Sequence, residues 1–174
     1  MLYLRAGLLA PGIMLHEFSH HILCLLSGVK VRKVVYFRIG NPAGFVIHEE
    51  PELYRQIFAI VAGPVFINSA VSVVLFNLSL RQWARAMASD AFAVAALMAL
   101  LALSVGLQAI PSRGDATNLF HSSTRHVLRG NPFAIVGYPV GLAIYLVQLA
   151  RPLGSEWFYT VFMAYLAYRG FATV

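Results

Sequence analysis

Long apolar runs alternate with short polar joints along this chain. A helix that crosses a bilayer needs ~20 mostly apolar residues. Five runs fit that requirement: Leu2–Leu26, Leu53–Leu80, Ala91–Ala109, Pro132–Ala150 and Glu156–Phe171. The first contains Pro11–Gly12, a pair expected to interrupt the helix, and the last is short. Between the first two runs, Val29–His48 has a different rhythm. "VKVRKVVYFRI" is rich in β-branched and aromatic residues, "GNPAG" clusters turn formers, and "FVIH" resumes the strand pattern. Together they predict a β-hairpin, with a basic juxtamembrane loop as the alternative. The expected fold is an all-α polytopic membrane protein with about five transmembrane helices and a short β-hairpin after the first. Repeats, low-complexity tracts and linkers are lacking, so residues 1–174 read as one membrane-embedded domain.

Composition narrows the class. Of 174 residues, 59% are hydrophobic and 11% charged, against about 25% charged in soluble domains. The formal net charge of +6 raises nucleic acid as a partner. The basic residues lie in short loops between apolar runs, however, and no nucleic-acid motif accompanies them, so they read as topology signals. With five crossings, one side holds Lys30, Arg32, Lys33, Arg38, Arg55, Arg113, Arg125, Arg129 and Arg169, and the other holds Arg5, Arg81, Arg85 and Arg151. The richer side is expected in the cytoplasm and the N-terminus outside, in a multi-pass protein of the cell membrane. The first apolar run lacks a small-residue cleavage site, so no cleavable signal peptide is expected. Cys24 is the single cysteine, which excludes an intrachain disulfide.

Polar groups inside the first apolar run demand an explanation, because ionisable side chains at membrane depth cost several kcal/mol. "LHEFSHHILCLL", Leu15–Leu26, carries three histidines and a glutamate. Residues four apart on a helix stack on one face about 6 Å apart, so His16 and His20 can bind one ion. Glu17 lies beside them and can hold a water. This is H-E-x-x-H, the pattern of a zinc ion with a general base. Zinc, one ion per chain, explains the cost, since coordinated histidines are no longer stranded polar groups. The alternative is a histidine cluster that hydrogen-bonds between helices. His21 is positioned to bond the Glu17 carboxylate or face a cavity. Cys24 continues the stripe but lies ~12 Å along the axis from His16, too far to share one ion, and reads as a buried thiol.

A catalytic zinc usually keeps three protein ligands and an open position. Parity of the runs puts Asp90 and Glu156 at the opposite ends of the third and fifth helices, away from His16 and His20. Asp115 remains, in "LQAIPSRGDATNLF", where Pro111 and Gly114 unwind the segment; unwound backbone at membrane depth is expected to line a protein cavity. The competing readings are an N-cap role for Asp115, ahead of a helix beginning at Ala116, and a third ligand among Glu49, Glu50 and Glu52.

In these features the chain resembles the site-2 protease family of intramembrane zinc metalloproteases. The resemblance runs over about Leu8 to Leu119, through "HEFSH", the hairpin, "AGPVFIN" at Ala62–Asn68, and "IPSRGD" ending at Asp115. The chain differs from the family in having Asp115–Ala116 for Asp-Gly, and in placing Asn68 one residue later after Gly-Pro. The resemblance implies a protease core at about residues 8–120, with additional helices at about 132–171. It implies His16, His20 and Asp115 as zinc ligands and Glu17 as the catalytic base. Asn68 would contact substrate backbone or the oxyanion, with an interhelical hydrogen bond as its alternative. The implied activity is hydrolysis of peptide bonds in or near transmembrane segments of membrane-protein substrates, with the lipid bilayer around it and a separate protein as regulator. The hairpin edge would hold an unwound substrate by strand addition. From another class comes the alternative of a non-catalytic scaffold or metal-transport protein, whose structural zinc would take a fourth ligand from His48 or His21.

Overall fold

The computed structural model describes residues 2–85 and 89–173, with side chains for 7–85 and 91–173. The described residues form six α-helices and one hairpin. In chain order they are α1 (Leu2–Leu26), β1 (Val31–Val35), β2 (Phe45–His48), α2 (Tyr54–Ala84), α3 (Ser89–Leu107), α4 (Arg113–Leu128), α5 (Gly137–Leu149) and α6 (Ser155–Ala172). Among them, α2 and the stretch Pro132–Leu149 are long and apolar enough to cross a membrane, and Ala91–Leu107 is a shorter apolar helix.

Three long helices build the frame. α1 does not break at Pro11–Gly12 as expected. Gly12 is instead where the backbones of α1 and α3 meet: its N–H donates to Ser104 Oγ at 2.9 Å, and a Cβ there would lie 2.0 Å from the Ser104 carbonyl oxygen. Only glycine permits that approach. α1 and α3 run parallel, Gly12 facing Ser104 and His16 facing Gln108. α2 runs antiparallel to both. Its buried serines donate to α3 carbonyls, Ser72 to Ala102 at 2.9 Å and Ser79 to Ala95 at 2.8 Å. Where the solvent is as apolar as the side chains, such bonds and small-residue contacts hold helices together, at about 0.6 kcal/mol per bond. α6 lies parallel to α2, tied by Ser69 to Tyr159 at 2.6 Å and by Asn77 to the Ala167 carbonyl at 3.0 Å.

The predicted hairpin is present. β1 and β2 pair antiparallel from Val35↔Phe45 to Val31↔His48, with an irregularity between Val31 and Lys33. Arg38 closes its loop, through its N–H to Ala43 O at 2.7 Å and its Nε to Pro42 O at 2.8 Å. Cys24, Val29 and Ile60 form the small core beneath it.

The second half of the chain departs from expectation. No spanning run was expected over Arg113–Leu128, yet α4 forms there. Ser112 caps it, and Tyr54, Ile57 and Val61 of α2 bury its Ala116 and Leu119. α5 returns antiparallel beside it, with Tyr138 bonded to Thr124 at 3.0 Å and Gln148 Nε2 donating to the Pro111 carbonyl at 2.5 Å. α5 therefore covers only the half of the bundle between Tyr54 and Pro111. α6 then starts at the Pro111 level, so Glu156 is not at the far end: it lines the same cavity as His16. The side chain of Asp90 lies outside the described residues.

Candidate metal centre

The three-helix frame brings two histidines together with their lone pairs facing. His16 Nδ1 sits 2.7 Å from the Gln108 carbonyl at the end of α3, and His20 Nδ1 sits 2.8 Å from the Ile60 carbonyl of α2. A carbonyl only accepts, so each Nδ1 carries a proton, and a ring with no second proton presents a bare Nε2. Those two nitrogens are 3.1 Å apart. Two acceptors at that distance repel unless a cation or a shared proton joins them. Tetrahedral zinc, with bonds of about 2.0–2.1 Å, separates neighbouring ligand atoms by about 3.3 Å. The spacing fits.

A carboxylate joins the pair. Asp115 Oδ2 lies 3.7 Å from His20 Nε2, and the ligand atoms of His16, His20 and Asp115 all lie within 4.8 Å of one another. Asp115 is not the N-cap, which is Ser112; it is the third residue of α4 and completes a capping box. Its Oδ2 accepts from Ser112 N at 2.8 Å and Ser112 Oγ at 2.7 Å. Capping and ligation are compatible, because the capping box aims the carboxylate while its side chain stays 21% exposed toward the histidines. The competing glutamates are used elsewhere: Glu49 with Lys30 and Arg32, Glu50 with Arg125. Glu52 is exposed.

The centre opens on a cavity of about 660 Å³, which Glu17, the hairpin loop and the α3–α4 and α5–α6 connections also line. Gly44 of that loop packs against Glu17, since a Cβ there would meet Glu17 Cγ at 2.6 Å and Tyr36 O at 2.9 Å. His21 does not bond Glu17; its Nδ1 meets Tyr36 Oη at 2.6 Å, pinning the hairpin to α1. His48 lines the cavity, with Nδ1 at 2.7 Å from Glu49 O, and it stands outside the metal group. Cys24 is a buried free thiol, as expected.

Asn68 is fully buried and absent from the cavity wall. Its Oδ1 accepts from Ser19 at 3.1 Å, and its Nδ2 donates to Gln108 O at 3.3 Å. That is the interhelical bond held open as the alternative to a substrate contact. It steadies the same carbonyl that orients His16. Sequence reasoning missed Gln108, Ile60 and Gln148. The first two act through backbone carbonyls, which no side-chain pattern reveals.

A buried His–His–carboxylate set with a glutamate on the same cavity defines the metallopeptidase class of site. The Peptidase M50B-like family model matches residues 8–109, and the chain belongs to that family, the site-2 protease group of membrane-embedded metalloproteases. The match takes in α1, the hairpin, α2 and α3 and ends before Asp115, whose assignment rests on geometry. No curated protein and no solved structure matches the chain.

Proposed function

We propose that this protein is an intramembrane zinc endopeptidase that cuts membrane-protein substrates in or near their transmembrane segments. The observation that carries the reading is the pair of facing Nε2 atoms 3.1 Å apart with a carboxylate oxygen 3.7 Å from one of them. His16, His20 and Asp115 would hold the ion. When bound, zinc polarises a carbonyl and acidifies a water. Glu17 is the base: it takes a proton from the attacking water and passes it to the amine that leaves as the C–N bond breaks. The Gln108 and Ile60 carbonyls fix the histidine tautomer, and Ser112 fixes the carboxylate. The hairpin loop shields the cavity, and its strand edge offers an extended substrate backbone a partner.

The family's membrane setting supports a multi-pass arrangement. Because α5 turns back at Pro111, Arg151 joins the metal side and Arg169 leaves it, so the Lys/Arg imbalance keeps its size and sign. The reading is an N-terminus outside and an active site near the cytoplasmic face. The scaffold alternative needs a fourth ligand: His21 is engaged with Tyr36, and His48, though it lines the cavity, stands outside the group of ligand atoms formed by His16, His20 and Asp115.

The test is Glu17→Gln beside His20→Ala. The first should retain about one zinc per chain and lose cleavage of a membrane-spanning substrate by about 10²–10⁴-fold. The second should lose the metal. Undiminished cleavage by Glu17→Gln would overturn the mechanism.

A further inference from the structure

The flanks of the catalytic cavity differ in chemistry. Toward the hairpin and α2 the wall is apolar, built by Phe45, Val46, Ile57 and Val61. Toward the α5–α6 turn it is polar and charged, built by Gln148, Arg151, Ser155 and Glu156. Contacts run continuously from one flank to the other across the metal group. Ile60 O meets His20, His20 meets Asp115, and Asp115 is capped by Ser112 beside Pro111, whose carbonyl Gln148 holds. A shallow recess lined by Ser112, Arg113, Gln148, Arg151 and Pro152 adjoins the cavity. Ser112, Gln148 and Arg151 line both.

The charge in this flank is unbalanced. Arg151 uses Nε to meet Glu156 Oε2 at 3.0 Å, which leaves the outer end of its guanidinium without a carboxylate among the described residues. Arg113 has no carboxylate partner among the described residues either; it touches the Gln148 carbonyl at 3.4 Å and lies 6.0 Å from the Tyr145 ring centroid. Arg151 faces both the cavity and the recess and Arg113 the recess alone, so positive charge gathers at the recess, next to the cavity carboxylates Glu17, Asp115 and Glu156. The opposite side is mostly apolar, with Asn41 and His48 its polar members.

We infer that Arg151, backed by Arg113 and tempered by Glu156, forms a subsite for an acidic residue on one side of the scissile bond, with apolar residues on the other. The substrate class is then a segment where a hydrophobic run gives way to Asp or Glu, cut at its boundary and not at its middle. This rests on the protease reading above. The ion pair is half-solvated, so the preference it gives is about fivefold, the upper end for exposed pairs.

The test uses the full-length zinc-loaded protein in vesicles of zwitterionic lipid. A panel of single-span substrates carries Glu, Gln or Lys at each position flanking the cut, located by mass spectrometry. The parent should favour Glu over Lys by about fivefold in kcat/KM at one position. Arg151→Glu should invert that preference at the same position, and Glu156→Gln should sharpen it. Arg113→Glu, on the exposed first turn of α4, should reduce it, which keeps the test decisive if Arg151→Glu fails to fold. A merely structural role for these residues predicts slower cleavage with no inversion. Cleavage of the whole panel without charge preference overturns the subsite alone, as does a rate set by added anionic lipid in place of substrate charge. Failure of the parent to cut any panel member overturns the protease reading and the subsite with it.

Discussion

Replacing Asp115 with asparagine separates the helix capping that its carboxylate performs from the metal ligation proposed for it. Its Oδ2 accepts from Ser112 N at 2.8 Å and Ser112 Oγ at 2.7 Å and stands 3.7 Å from His20 Nε2. Asparagine keeps the shape and one acceptor oxygen, so part of the capping box survives. Loss of a helix cap costs about 0.5–2 kcal/mol, which puts the partial loss near ~1 kcal/mol or below. For the metal the change removes a charged ligand. Loss of a group that merely orients a ligand weakens binding about 10–100-fold, so loss of the ligand itself should exceed about 100-fold, or ~2.7 kcal/mol. Ser112→Ala is the counterpart: it removes the capping hydroxyl and leaves the carboxylate. The expected order is therefore crossed. Asp115→Asn should weaken zinc more and destabilise the metal-free protein less than Ser112→Ala does. Zinc affinity is read by competition with a chromophoric chelator, and stability by thermal unfolding in detergent. If Asp115→Asn binds zinc like the parent while melting like Ser112→Ala, the residue is a helix cap only.

Further outcomes follow from the same geometry. Changing Glu49, Glu50 and Glu52 together to glutamine should leave zinc content unchanged, since Glu49 and Glu50 pair with basic side chains; loss of the metal would move the third ligand there. Asn68→Leu removes one acceptor of Ser19, whose hydroxyl keeps the Leu15 carbonyl, and one partner of Gln108 O, so it should cost about 0.5–1.5 kcal/mol per bond lost in unfolding measurements and weaken zinc through His16. Gly12→Val forces a side chain into the Ser104 carbonyl and should destabilise by at least ~1–3 kcal/mol, the usual range for overpacking. Gly44→Ala should keep the zinc and lower kcat with little change in KM, because the added carbon meets the stem of Glu17.

The grouping of the candidate site was legible wherever it is written in side chains at helical spacing. His16, Glu17 and His20 are spaced so that a continuous helix must bring them together, and the Pro111–Gly114 break announced Asp115. The hairpin was equally legible from its β-branched strands and turn cluster. What escaped was the second half of the fold. Each apolar run was read as one helix, but the fourth is divided into a 3₁₀ turn at Pro132–Val136 and α5, which has 13 residues. A second Pro/Gly break, Pro152–Gly154, turns the chain back at the level of the first. α4 escaped because its sequence is polar: its stability comes from a cap and a narrow face against α2, not from length or hydrophobicity. Parity then misplaced Glu156. Asn68 was ambiguous because an amide suits a substrate contact and an interhelical bond equally well, and only its burial distinguishes them.

The orientation of the two imidazoles has a consequence for biogenesis. Each ring is locked by a carbonyl from a different helix, Ile60 from α2 and Gln108 from the end of α3. The ligand pair emerges from the ribosome on the first helix, 92 residues before the carbonyl that orients His16. A nascent chain with α1 alone in the bilayer carries the whole HEFSH motif and neither lock. On the proposed function, hydrolytic competence would then belong to the assembled three-helix frame, acquired after α3 has inserted and Asp115 has followed it. A chain still inserting its helices would be silent while its own unfolded hydrophobic segments lie beside it.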